Sequence, residues 1–521
     1  MDSTAFLVLG IGAVSIFTWA NIMLSWRAGA YGLIYYTPFM GLVIVAMSNF
    51  GMGSLALLSR DILIVAPLYF SLFFFTKGLP FHRVPWHVTV SFAVMAFIVI
   101  ACGANPRIPN VLVALIGIKV WIGYVPLMFV GAVLVNTERQ LLGLLRGMIV
   151  VAWVPWLAGV IQYVGALTIG FEETMTFMMG DYASIATGKF SCFDFGAPLC
   201  RLPGTFQFNS QYGVFCTFML FPLFMFLALE TDKGWKGFGS LSVALAFIAG
   251  FTSGARGNLL LMPACVLLIF FFRFRLKGGM QVVLGMAGAA VVVFNVMGID
   301  ADKAYGTTGQ LGVDYGRDLV VGGFADGVAK GGLFGAGTGT NTGPARHAFD
   351  SKDQLNAEQG YYIENFMAKT LAELGIFGFF SLLFCFLMAG MHLLQGQFAC
   401  KDPRLRDAAA VVTAMVAFTV ATSVKGWALD VDPLNFFYYL FLGFGFAIPH
   451  LDRAKQLASG YAVAPAGMPA TQAPATGYAY GGRYTPVRSA LPKLGARGTA
   501  APGRYGRYGG RYTDPRSNDP K

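Results

Sequence analysis

The apolar positions of this chain neither alternate with a period of two nor keep to one helical face; they fill whole windows of the ~20-residue length that crosses a bilayer. Such windows lie at about 5–25, 31–47, 62–76, 87–103, 112–136, 147–168, 209–230, 237–252, 257–273, 280–297, 366–392, 408–424 and 434–450. Each predicts a helix, because a segment in lipid must satisfy its own backbone hydrogen bonds. Two places break the pattern: Arg60 and Asp61 stand directly before the third window, and Lys119 interrupts the fifth. Either can be a re-entrant or interfacial piece, which leaves twelve or thirteen spans. The expected fold class is an all-α polytopic membrane protein of about 12–13 transmembrane helices, with one large extracytoplasmic loop at 298–365.

Composition turns this pattern into a statement about solvent. Of the 521 residues, 12% are charged and 56% hydrophobic, whereas a soluble domain carries roughly 25% charged residues. The first window starts almost at Met1, without a basic leader or a small-residue cleavage site, and more spans follow; it is read as a retained span rather than a signal peptide. The expected division is a transmembrane domain over 1–450 and a tail over 451–521. That tail is rich in Ala, Pro, Gly, Tyr and Arg, cannot bury a core, and is expected to be disordered.

A formal charge of +11 would suit a nucleic-acid binder, but the basic residues sit in short loops between spans and in the tail, as positive-inside topology requires. No nucleic-acid partner is expected. The loops with Lys233 and Lys236, with Arg273, Arg275 and Lys277, and with Lys401, Arg404 and Arg406 are read as cytoplasmic, and the tail with them. Counting spans then places 169–208, the turn at 253–256, 298–365 and 425–433 on the far side. The expected location is the bacterial inner membrane, with the large loop in the periplasm.

The candidate chemistry lies on that far side. Arg201, Arg256 and Arg317 fall at or near span ends, where a guanidinium is costly unless it faces a polar cavity, and its planar fork suits bidentate pairing with phosphate. Three together suggest a diphosphate; for each alone, juxtamembrane anchoring is the plainer reading. The 298–365 loop holds five basic and nine acidic residues, more polarity than a connector needs. Its glycine run from Gly331 lacks the GK[ST] ending of a nucleotide loop and is read as backbone that approaches a ligand or neighbouring helices closely, or as a flexible loop. Glu364, where the loop re-enters the membrane beside Asn365, is the preferred acid/base candidate, with His347 and Glu358 behind it. Glu373, inside an apolar window, is expected to pair with a neighbouring helix. Cys192 and Cys200 share the outer stretch before Arg201, and an oxidising compartment would let them form a disulfide. Cys102, Cys216, Cys265 and Cys385 are read as core residues.

In this order the segments resemble those of the O-antigen ligase and Wzy-type polysaccharide polymerase superfamily of membrane glycosyltransferases. RLPGTFQFNSQYGVFCTFMLFPL resembles its GTF-x-x-N segment, which brings in Asn209, and FTSGARGNLLLMP resembles its S-R-G turn, here with Ala255 inserted. GRDLVVGGFADGVAKGGLFGAGTG is similar to its arginine followed by G-x-G, and ENFMAKTLAELGIFGFF to its loop-exit helix; together these cover about residues 200–385. The resemblance implies a GT-C-like scaffold, a polyprenyl-diphosphate-linked oligosaccharide as substrate, and transfer without metal or other cofactor. Taken with the reading of the residues, it leads to the expectation that Arg201, Arg256 and Arg317 bind the diphosphate, with Arg317, Glu364 and Arg256 as the catalytic set and His347, Asn365 and Asn209 as secondary candidates. Ligases of the family carry His–Asn at the loop exit, whereas this chain has Glu364–Asn365, which tilts the expectation toward a polymerase. The other expected partners are membrane lipids and polysaccharide co-polymerase or export proteins. The sequence offers no DxD-like carboxylate pair beside the arginines. A lipid-linked sugar flippase is the competing class; it would place basic residues within several spans and keep both sets of loops short.

Overall fold

The computed structural model describes residues 3–48, 50–52, 56, 59–180, 192–194, 198–255, 257–297, 317–348, 363–426 and 428–458. Nine helices among them are long and apolar enough to cross a membrane: Trp26–Ser48, Trp86–Gly103, Val111–Leu134, Glu138–Thr168, Asn209–Leu229, Lys233–Thr252, Phe366–Ala399, Pro403–Ser423 and Leu434–Ala458. The other four apolar windows also coincide with helix, in Ser3–Leu24, Asp61–Phe75, Asn258–Phe272 and Leu276–Met297. The chain is thus an all-α multi-pass membrane protein, apart, among the described residues, from one small hairpin of Cys192–Asp194 with Pro198–Cys200.

Two helices form the middle of the bundle. Leu434–Ala458 and Asn209–Leu229 are each 89% buried over their most apolar stretch, so they are apolar all round and surrounded by other helices. Leu434–Ala458 lies against Val111–Leu134 through facing glycines. A Cβ on Gly131 would stand 2.1 Å from the Leu440 carbonyl, and one on Gly443 2.2 Å from that of Met128. Small residues let backbones close in this way where lipid supplies no hydrophobic drive between helices. Val111–Leu134 is interrupted after Ile122, and the Tyr69 hydroxyl donates to the Gly123 carbonyl at 2.8 Å, covering an acceptor at the break.

The loops read as cytoplasmic share one end of the bundle, where ion pairs join them. Arg146 pairs with Glu230 at 2.6 Å, Arg273 with Asp407 at 2.7 Å, and Glu138 with both Lys455 at 2.8 Å and Arg404 at 3.4 Å. The helices starting there are capped locally: Asp232 accepts the Trp235 N–H at 2.9 Å and Asp402 the Arg404 N–H at 2.8 Å. The last helix continues to Ala458, with Leu451 and Asp452 buried, so helix extends past the boundary expected at 450. The tail from 459 onward lies outside the described residues.

The two irregularities in the hydrophobic pattern explain each other. Lys119 pairs with Asp61 at 2.6 Å, and Asp61 also accepts the Tyr124 hydroxyl at 2.7 Å. Arg60 is buried beside them, 3.0 Å from Asp432. Both segments are helical and are tied to one another by charge, so neither interruption marks a gap in the bundle.

Candidate functional site

At the other end of the same helices, the segments singled out by sequence meet. The disulfide between Cys192 and Cys200 closes the small hairpin, and Arg201 follows at once. The backbone here docks on the turn after Lys233–Thr252: the Leu202 N–H donates to the Ser253 carbonyl at 3.2 Å. Gly254 adopts φ +67°, and a Cβ on it would lie 2.2 Å from the Cys200 oxygen and 2.7 Å from the Arg201 nitrogen. Only glycine fits both the conformation and the contact. Asn258 then fastens the turn to the helix that Asn209 begins, donating to the Gly213 carbonyl and accepting from the Thr217 hydroxyl, each at 3.1 Å. Arg256 lies outside the described residues, between Ala255 and Gly257, which belong to this turn.

On the far side of Gly257 stands Lys425. A Cβ on that glycine would be 3.0 Å from the Lys425 ammonium. Lys425 sits on the turn that follows Pro403–Ser423, and the Gly426 carbonyl accepts the Phe366 N–H at 3.2 Å. That bond ties the turn to the loop exit. There Asn365 caps the long helix, accepting from Met367 and Ala368 N–H groups at 3.0 and 3.1 Å, while its amide donates to the Leu319 carbonyl at 3.3 Å. Arg317 lies two residues before Leu319. A continuous contact path therefore runs from Arg201 through the 253–257 turn, Lys425 and Glu364–Asn365 to Leu319. Glu364 and Arg317 are exposed on it and Arg201 is half-buried. Partial desolvation pushes the Lys425 ammonium below the usual lysine range, although the residue as a whole is exposed. His347 belongs to a separate 3-10 turn, Gly343–Ala348, whose Ala345 packs on Val113; Glu358 lies outside the described residues.

Beneath this path lies a charged layer that sequence reasoning read only in part. Lys369 is fully buried and pairs with Asp430, with its ammonium 5.1 Å from the centre of the Trp121 ring and 4.0 Å from Glu373. Glu373 takes the Trp121 indole N–H at 2.7 Å, the Gly339 and Asn341 N–H groups at 3.1 and 2.7 Å, and the Thr342 hydroxyl at 3.0 Å. It is tied to a neighbouring helix, as its place in an apolar window implies, and it also organises the glycine run. A Cβ on Gly331 would stand 1.8 Å from the Leu371 carbonyl, and one on Gly335 2.1 Å from that of Glu373. The glycines therefore bring loop backbone against helix backbone.

The segment 425–433 binds both layers. Asp430 turns to Lys369, while Asp432, two residues on, turns to Arg60. Burial raises the Asp430 carboxyl above the usual aspartate range against the pull of Lys369. These two residues correct the reading that no DxD-like pair lies beside the arginines: Asp430–Val431–Asp432 is one, on the segment that carries Lys425, with its carboxylates divided between two buried cations. Lys425 was legible only as a loop boundary, and Lys369 had no signal beyond being a charge in an apolar helix.

No protein-family model matches this chain, and a search of curated proteins finds no similar sequence.

Proposed function

We propose that this chain is a metal-independent membrane glycosyltransferase that joins polyprenyl-diphosphate-linked oligosaccharide repeats into exopolysaccharide, capsule or O-antigen at the outer face of the inner membrane. The observation that carries the reading is the continuous contact path from Arg201 to Leu319 through the 253–257 turn and Glu364–Asn365. The span count alone gives these segments one end of the bundle; direct contacts between stretches scattered over nearly 200 residues go beyond it and join the segments that resemble one superfamily.

On this reading the scaffold is GT-C-like, with twelve or thirteen spans, the 298–365 loop in the periplasm and the tail in the cytoplasm. The disulfide supports the placement of its hairpin in an oxidising compartment. Arg201, Arg256 and Arg317 hold the donor diphosphate and stabilise charge that develops on it. Glu364 accepts the hydroxyl proton of an acceptor glycan, whose oxygen attacks the anomeric carbon with inversion. The bond from that carbon to the phosphate oxygen breaks, and polyprenyl diphosphate leaves with the electron pair. Glu364–Asn365 in place of His–Asn favours a polymerase over a ligase.

One observation bears on the flippase class. Helical cations do occur in the form of Arg60, Lys119 and Lys369, but they pair with Asp432, Asp61 and Asp430. Cations neutralised by their own protein suit a fixed framework better than a transit path for an anion.

The test is glycan length, on the lipid carrier and at the cell surface, in a deletion strain complemented with wild type, Arg317→Ala or Glu364→Gln. Either variant is expected to abolish polymer and leave single lipid-linked repeats at the outer face. Completed polymer stranded on the carrier would indicate the ligase, repeats trapped on the inner leaflet the flippase, and full polymer in both variants would remove the proposed site.

A further inference from the structure

We infer that Lys425 is a fourth cation of the diphosphate site, acting as a point-charge ligand for a phosphoryl oxygen; the inference rests on the glycosyltransferase reading above. It starts from a contrast with the three cations set in or beside the apolar helices near this end of the bundle. Arg60, Lys119 and Lys369 each have a carboxylate partner. Lys425 has none, and its side chain makes no hydrogen bond among the described residues. This is not for want of nearby acids, since Asp430 and Asp432 lie on the same segment, but both are directed inward to Lys369 and Arg60.

The lysine is nonetheless held in place. Its own N–H and that of Gly426 donate to the Thr422 carbonyl at 3.0 and 3.1 Å, and the Gly426 carbonyl receives the Phe366 N–H. The turn is thereby fixed both to the helix it ends and to the loop exit carrying Glu364. Its ammonium lies over Gly257, directly after the Arg256 position, and the missing side chain at 257 is what leaves it room. An ammonium partly stripped of water and without an acceptor among the described residues gains from a nearby anion, and the lowered pKa reports the same partial desolvation. Lysine supplies three donors from one compact charge, which suits a single phosphoryl oxygen.

The ligand chemistry is a phosphoryl group, which a polyprenyl diphosphate, free pyrophosphate or an anionic phospholipid could each present. The experiment separates them. Full-length protein in zwitterionic nanodiscs is titrated with polyprenyl diphosphate, inorganic pyrophosphate and phosphatidylglycerol, as wild type, Lys425→Met, Lys425→Arg and Gly257→Ala, with melting temperature recorded for each. Lys425→Met is expected to weaken polyprenyl diphosphate binding about tenfold or more, the loss of one charge-assisted hydrogen bond. Inorganic pyrophosphate should weaken in parallel, while phosphatidylglycerol binding and melting temperature stay unchanged. Lys425→Arg should recover part of the affinity, and Gly257→Ala should fall between wild type and Lys425→Met by crowding the ammonium. If Lys425→Met does not fold, the other two variants decide. Wild-type affinity in the folded variants overturns the assignment of Lys425 alone, as does a loss confined to phosphatidylglycerol. Failure of the wild type to bind polyprenyl diphosphate overturns the glycosyltransferase reading and this inference with it.

Discussion

Glu373→Ala should loosen the end of the bundle that holds the glycine run, with a stability loss of about 3–5 kcal/mol, the scale for removing one partner from a buried charged network. The carboxylate is completely buried and accepts from Trp121, Gly339, Asn341 and Thr342, with the Lys369 ammonium 4.0 Å away. Alanine leaves an indole N–H, two backbone N–H groups and a hydroxyl without that acceptor where water does not reach, and each such group costs about 1–3 kcal/mol. It also leaves Lys369 with Asp430 as its remaining carboxylate. Glu373→Gln keeps the shape and one acceptor oxygen but presents an NH2 to groups that are themselves donors, so it should recover only part of the loss. Thermal unfolding in detergent measures the size of the effect, and protease sensitivity of the 332–348 segment locates it. A melting temperature equal to wild type in Glu373→Ala would show that the glycine run is held by backbone packing alone.

The second large effect is expected at Arg60, which is 1% exposed and joins the N-terminal helices to the 425–433 segment through Asp432 at 3.0 Å. Its guanidinium also lies 5.2 Å from the Tyr124 ring centre and 5.5 Å from that of Phe436. Arg60→Met keeps much of the packing but strands Asp432, a loss again of about 3–5 kcal/mol. Asp61 should suffer less, because Lys119 and Tyr124 still hold it. The double variant Arg60→Met/Asp432→Leu removes both charges and should restore most of the stability, since a buried pair is often no better than apolar residues of similar volume. Comparison of single and double variants by thermal unfolding checks this. A double variant as unstable as Arg60→Met would mean that ring contacts, rather than the pair, carry the effect.

The helices were legible because lipid leaves few alternatives: each apolar window had to satisfy its own backbone, and each coincides with helix. The shared end of the basic loops was legible for the same kind of reason, since charge is confined to where the windows stop. What hydropathy could not give was the partner of a charge inside a window. Lys119 and Asp61 looked like defects in two separate segments, and only packing shows that each neutralises the other. Lys369 and Asp430 are 61 residues apart in the chain, and Arg60 and Asp432 lie near its opposite ends, so no local pattern links them. The arginine and loop-exit segments could be named by their motifs. That they adjoin through Gly254, Gly257 and Gly426 could not, because each glycine contributes backbone alone to its contact and so leaves no side-chain signal.

The most direct test of the account is reconstitution. Purified wild type and Arg317→Ala are placed in nanodiscs with a polyprenyl-diphosphate-linked oligosaccharide repeat, and glycan length and released polyprenyl diphosphate are followed together. Wild type should yield carrier-linked oligomers of increasing length, with one polyprenyl diphosphate released for each bond formed, and Arg317→Ala should yield neither. Repeats that stay single with wild type, with no carrier released even when an acceptor glycan is supplied, would contradict the assignment of this chain as a glycosyltransferase.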